Sequence, residues 1–243
     1  MTILREFISN FIKLKRTPIL LLNLLPPIVI TLLFLYYYNI VGYRIITDVR
    51  GFFVILQICY PIFISIVVSV FTHLDRNING IQNTLGIVNS RISIYLGKLL
   101  FILFLSAINL ILYELCFYIS VNLFLDTNIA PLNSYIGIFQ IFLFSNLFLY
   151  SLHLSVAFRF GSSISILLGI AGTILAGYFE TEIGDKIWPI IPWECSVRFL
   201  ENYFNFSSIP IISGIISMII LTSIVLILSI LWFNKWEGKI TQE

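Results

Sequence analysis

Charge is what this chain has least of. Of its 243 residues only 11% are Asp, Glu, Lys or Arg, whereas ordinary globular domains carry about 25%. Too few charges remain to cover a water-facing surface, which excludes a soluble domain, and an apolar content of 59% excludes disorder. The formal charge of +2 is too small for nucleic acid to be a partner. The three cysteines, Cys59, Cys116 and Cys195, form no CxxC or Cys/His group, so neither a disulfide framework nor a zinc site is expected, and they read as small inert residues. His73 and His153 have no ligating neighbour at helical spacing, and no metal is expected. The Gly-x-x-x-x-Gly-Lys-Ser/Thr phosphate loop is missing too: Ile92 stands where it needs its first glycine, ahead of Gly97-Lys98. The chain is therefore expected to hold no cofactor and to hydrolyse no ATP by itself. A membrane-protease reading fails on the absence of an adjacent glutamate pair, Glu180 and Glu182 being separated by Thr181.

What is present is apolar length. Residues 17–43, 51–72, 99–125, 127–158, 160–179 and 202–234 each hold at most one ionisable acid or base. At 1.5 Å per residue, about 20 residues cross the hydrocarbon layer of about 30 Å, so each run can form one spanning helix. The runs are apolar all round rather than alternating, which argues against a barrel. The first begins after Arg16 and contains Pro26-Pro27, so it is expected to be a retained span, kinked or broken near its start, rather than a cleaved signal peptide.

Six spans put both termini on one side. That side carries ten of the Lys and Arg residues (Arg5, Lys13, Lys15, Arg16, Arg76, Arg91, Lys98, Arg159, Lys235, Lys239) and the other four (Arg44, Arg50, Lys186, Arg198). The excess predicts cytoplasmic termini. Seven of the twelve acids, Asp48, Asp126, Glu180, Glu182, Asp185, Glu194 and Glu201, fall on the poor side.

Between the spans, Ile3, Leu4, Phe7, Ile8, Phe11 and Ile12 repeat at helical spacing. The pattern predicts an amphipathic helix within residues 1–16, lying in the inner interface or serving as a plain basic flank. A second stripe, Leu74, Ile78, Ile81, Leu85 and Val88, predicts a helix in the connection 73–98, either held by a partner or solvated. Glu114 is the only ionisable side chain deep in a span. A charge there costs about 3 kcal/mol, so it should face a transport path, a partner helix, or a packing contact such as Asn109 or Tyr113. Gly161, Ser165, Gly169, Gly172 and Ala176 share one helix face, a small-residue stripe for close packing within the subunit or across a dimer. In the outer segment 180–208, Trp188, Pro192, Trp193 and Glu194 predict short helices dipping into the outer leaflet, as an interfacial anchor or a surface meeting a cationic amphiphile.

Asp75, Gly80-Ile-Gln-Asn-Thr-Leu85, Asn89-Ser90-Arg91 and Tyr95-Leu96-Gly97-Lys98-Leu99-Leu100 resemble the first cytoplasmic loop of ABC exporter permeases of the drug and polysaccharide export type, with Asn89 where proline is usual. The size and the outer segment Gly184–Glu194 are most similar to permeases of lantibiotic self-protection transporters, and the abundance of Ile over Ala suits a low-GC Gram-positive bacterium. The resemblance implies a fold: a single permease domain, 1–243, all-α, with six transmembrane helices, an interfacial N-terminal helix, a cytoplasmic coupling helix and short, partly embedded extracellular helices. It implies a cytoplasmic ABC ATPase dimer binding ATP and Mg, met through Asp75, Asn79, Gly80, Thr84, Arg91 and Lys98. It also implies a second permease subunit, homologous or identical, and an amphiphilic peptide substrate expelled from the bacterial cell membrane. Another amphiphile as substrate, a noncatalytic scaffold and an ion-coupled carrier are the alternatives.

Overall fold

In a computed structural model, residues 3–14, 17–41, 49–76, 90–124, 132–205 and 210–236 are described. Every regular element among them is helical: α1 (Ile3–Leu14), α2 (Ile19–Val41), α3 (Val49–Arg76), α4 (Arg91–Phe124), α5 (Leu132–Phe160), α6 (Ser162–Phe179), two single 3-10 turns (Gly184–Lys186 and Trp188–Ile190), α7 (Pro192–Tyr203) and α8 (Ile212–Lys235). Six of these helices, α2 to α6 and α8, are long and apolar enough to cross a membrane.

The boundaries differ from expectation at two places, and the first span is not broken at its prolines. Arg91 to Lys98, expected in a loop, are the first two turns of α4. Residues 202–204, expected to open the last span, instead end α7, which closes through Asn205 at φ 57, and the span begins at Ile212. Pro26 and Pro27 lie inside one uninterrupted helix. Pro27 has no N–H to give the carbonyl of Asn23, and that carbonyl accepts instead from Asn109 Nδ2 of α4, at 2.6 Å. Asn109 Oδ1 in turn accepts from the Tyr60 hydroxyl of α3 at 3.1 Å. A neighbouring side chain thus replaces the bond that proline removes, as an apolar solvent requires. The predicted helix over 74–88 falls mostly outside the described residues.

α3 and α5 form the centre, with α3 against α5 and α6, α4 against α2 and α5, and α8 against α5. Buried polar pairs bridge these helices. Gln57 Nε2 donates to Asn146 Oδ1 (3.1 Å), His153 Nδ1 meets Ser165 Oγ (3.1 Å), and the Tyr95 hydroxyl reaches Ser155, which also bonds Ser229. The stripe on α6 is packing inside the subunit. Ser165, Gly169, Gly172 and Ala176 are buried, and a Cβ on Gly169 would come within 2.5 Å of Ser65 on α3. Gly161 belongs to the one-residue break between α5 and α6, where its φ of 107° is open to glycine alone.

Candidate functional site

The two ends of the bundle gather different chemistry. At one end lie α1, the start of α4, the α5–α6 break and the end of α8. Phe7 and Phe11 of α1 meet Phe101 and Phe104 of α4 edge-on, with ring centroids 5.1 to 5.9 Å apart. α1 also buries the polar side chains of Glu6 and Asn10, and the rest of its apolar stripe faces outward: Leu4 is 66% and Ile12 71% exposed. The buried pair has a partner in Lys98, whose ammonium lies 3.5 Å from Glu6 and 5.5 Å from the Phe71 ring centre. Gly97 makes the approach possible, because a Cβ there would stand 2.8 Å from Glu6 Cβ. The Gly97-Lys98 pair therefore docks α1. Gly97→Val is expected to lift α1 away; a cysteine placed at the buried Asn10 position should react with a water-soluble maleimide in that variant and stay unlabelled in its parent.

Arg91 is also engaged within the chain. Its Nη1 donates to the carbonyls of Trp236 (2.7 Å) and Asn234 (3.3 Å), which closes the carboxyl end of α8 with a cation, the sign favoured there. Of the six residues expected to meet an ATPase, Lys98 is buried in the fold and Arg91 is a helix cap. Asn79, Gly80 and Thr84 lie outside the described residues, and Asp75 is on the last turn of α3.

The opposite end is organised by α7, which does not span but wedges among α3, α5, α6 and α8. Its first turn starts at Pro192, which sets φ where no N–H bond is needed. Arg198 is the centre. Nε donates to Glu194 Oε1 (2.8 Å), Nη1 to Glu201 Oε2 (3.2 Å), and Nη2 to the carbonyls of Phe179 (2.9 Å) and Thr181 (3.0 Å), with Asp185 Oδ1 at 2.9 Å. Arg50 of α3 holds the other Glu201 oxygen at 3.2 Å. Five ionisable groups from three separated stretches of chain thus close this end of the bundle.

Trp188 and Trp193, expected at an external surface, are turned inward. Trp188 is 1% exposed, lies edge-on to Phe199 at 6.0 Å, and presses on Gly214 of α8, where a Cβ would meet its ring at 2.2 Å. Trp193 is half-buried, against Gly172 and Phe148. The large apolar side chains that face outward here are Ile183, Ile187 and Ile190, among the exposed polar groups of Thr181, Glu182, Asp185 and Lys186. Cys195 is buried, its thiol donating to the carbonyl of Trp188 at 3.3 Å, and burial pushes that thiol up to about 12.

Burial also pushes the Glu194 carboxyl up to about 8, against the opposing pull of Arg198. Its Oε2 is buried with no partner among the described residues, as suits a neutral group. A carboxyl raised in the folded state keeps its proton where the unfolded chain has lost it. The contribution of Glu194 to folding stability is therefore greatest below about 4.5 and is lost as pH rises through about 8. Glu194→Gln should flatten that decline, measured as the thermal midpoint of purified protein across the pH range relative to the parent.

Glu114 is half-buried, with Oε1 buried and unpaired among the described residues. Asn109, a packing partner considered for it, is occupied by α2 and α3. The inward turn of α7 and the Asn109 bridge were not identified from sequence; the i, i+3 and i, i+4 spacing of Glu194, Arg198 and Glu201 reads equally as a wet face. The chain matches no known family model, no curated protein and no solved structure.

Proposed function

We propose that this chain is the permease subunit of an ATP-driven ABC exporter that expels a lantibiotic-type peptide from the membrane to the outside, giving self-immunity or resistance. The reading rests on the resemblance in residues 75–100 and is supported by six apolar helices in a chain without a phosphate loop. One observation carries the coupling. The segment before α4 feeds into turns bonded to α1 through Glu6–Lys98 and to the end of α8 through Arg91. A displacement of the first two turns of α4 therefore bears on α1 and α8 together.

In this account both termini are cytoplasmic in a bacterial cell membrane, and α1 lies in the inner interface with Leu4, Ile8 and Ile12 in lipid. A cytoplasmic ATPase dimer binds ATP and Mg and closes. Its motion enters through residues 74–88, a cavity between this chain and a second permease narrows, and peptide leaves outward. The drive is the tighter binding of ATP to the closed arrangement. The inward packing of Trp188 and Trp193 makes them supports of the outer end, and leaves Ile183, Ile187 and Ile190 to meet the peptide.

The test uses vesicles containing the chain and its ATPase. Asp75→Lys should abolish peptide-stimulated ATP hydrolysis while the subunits still purify together with unstimulated turnover. Full stimulation in that variant would overturn the coupling assignment. Charge reversal at Arg91 tests less cleanly, because it also uncaps α8.

A further inference from the structure

On the α1 end of the bundle, a small pocket of about 140 Å³ opens between α5 and α8. Its inner wall is the Ser155–Ser229 hydroxyl pair, whose bonds to the carbonyls of Ser151 and Val225 close the floor. Arg159, Phe160 and Trp232 also line it, the first two exposed and the third half-buried. The Arg159 guanidinium carbon stands 4.9 Å from the Phe160 ring centre and 6.0 Å from that of Trp232. Stacking uses the faces of a guanidinium, whereas its N–H donors lie in the plane, so ring contact and an oxyanion bond are compatible. Lys235, exposed, follows Trp232 by three residues on α8 and brings a second cation to the same side.

The surroundings select the anion. Leu228 is 60% exposed, Phe160 is exposed as well, and both sit at the last turns of apolar helices. An occupant must therefore combine a negative headgroup with apolar chains running along α8. Tryptophan beside arginine at the end of a spanning helix is the side-chain chemistry of the headgroup boundary.

We propose that this pocket binds an anionic phospholipid, with the headgroup phosphate at Arg159 and an acyl chain along Leu228. The site is independent of the transport reading and asks only that the six helices lie in a bilayer. An anionic lipid held here would brace the α5–α6 break against the end of α8, the helix end that Arg91 also caps.

The test reconstitutes the full chain in vesicles of phosphatidylcholine containing either brominated phosphatidylglycerol or brominated phosphatidylcholine, and reads tryptophan quenching. One well-placed cation near the membrane surface is worth about a fivefold preference, so the brominated anionic lipid should quench at about fivefold lower mole fraction. Arg159→Gln should erase the preference. In the unaltered protein, raising ionic strength from about 0.1 M to about 1 M should erase it too, which keeps the test decisive if the variant fails to fold. Symmetric vesicles offer the lipid to both faces, so the outcome does not depend on orientation. Equal quenching by the two lipids, a preference untouched by Arg159→Gln, or displacement by inorganic phosphate would each overturn the proposal, the last by showing that the site takes free anion.

Discussion

Arg198→Met is expected to remove about 3 to 5 kcal/mol of stability, the cost of taking one partner from a buried ion group. The substitution keeps the length and apolar stem of the side chain, so packing is largely spared and the loss is electrostatic. It leaves Glu194, Glu201 and Asp185 without the guanidinium they share, and strips two donors from the carbonyls of Phe179 and Thr181. Arg50 keeps its bond to Glu201, so only part of the cluster survives. The measurement is the thermal midpoint in detergent, and adding Glu194→Met should recover part of the loss because one stranded carboxyl is removed. An Arg198→Met protein as stable as its parent would mean that the cluster is wet and weak.

Trp188→Ala is expected to cost a similar amount, about 3 to 5 kcal/mol, through the cavity left by a fully buried indole. The ring fills the space between Phe199 and the bare backbone at Gly214. The loss should appear as reduced yield and a lower midpoint, with Trp188→Phe in between. An assembled, stable Trp188→Ala protein that merely protects less against peptide would return Trp188 to the substrate surface.

The spans were legible because their signal is composition over length. Runs of about 20 apolar residues suffice to mark a bilayer helix, and all six are present as helices. The grouping of cations was legible as well, since Arg91, Lys98, Arg159 and Lys235 share one end and Arg50 and Arg198 the other. What escaped was long-range pairing. Nothing near Pro27 reveals that Asn109 will supply its missing bond. Nothing near Trp188 shows that Gly214 leaves room for it. Arg198 sits on α7 only 19 residues from Phe179 in sequence, but Arg50, which completes the cluster, lies 151 residues from Glu201. Glu194, Arg198 and Glu201 look like a solvated face until those partners are known. Lys98 was readable as part of a loop signal, and its burial against Glu6 depends on a helix 92 positions earlier in the chain (98 minus 6).

The central claim is that this chain is a gate moved by nucleotide turnover in another subunit. Its most direct test is lantibiotic movement across proteoliposomes that contain the purified chain with its second permease, compared with and without the ATP-hydrolysing partner. The account predicts ATP-dependent outward movement only when that partner is present. Peptide expelled by the chain in its absence would contradict it.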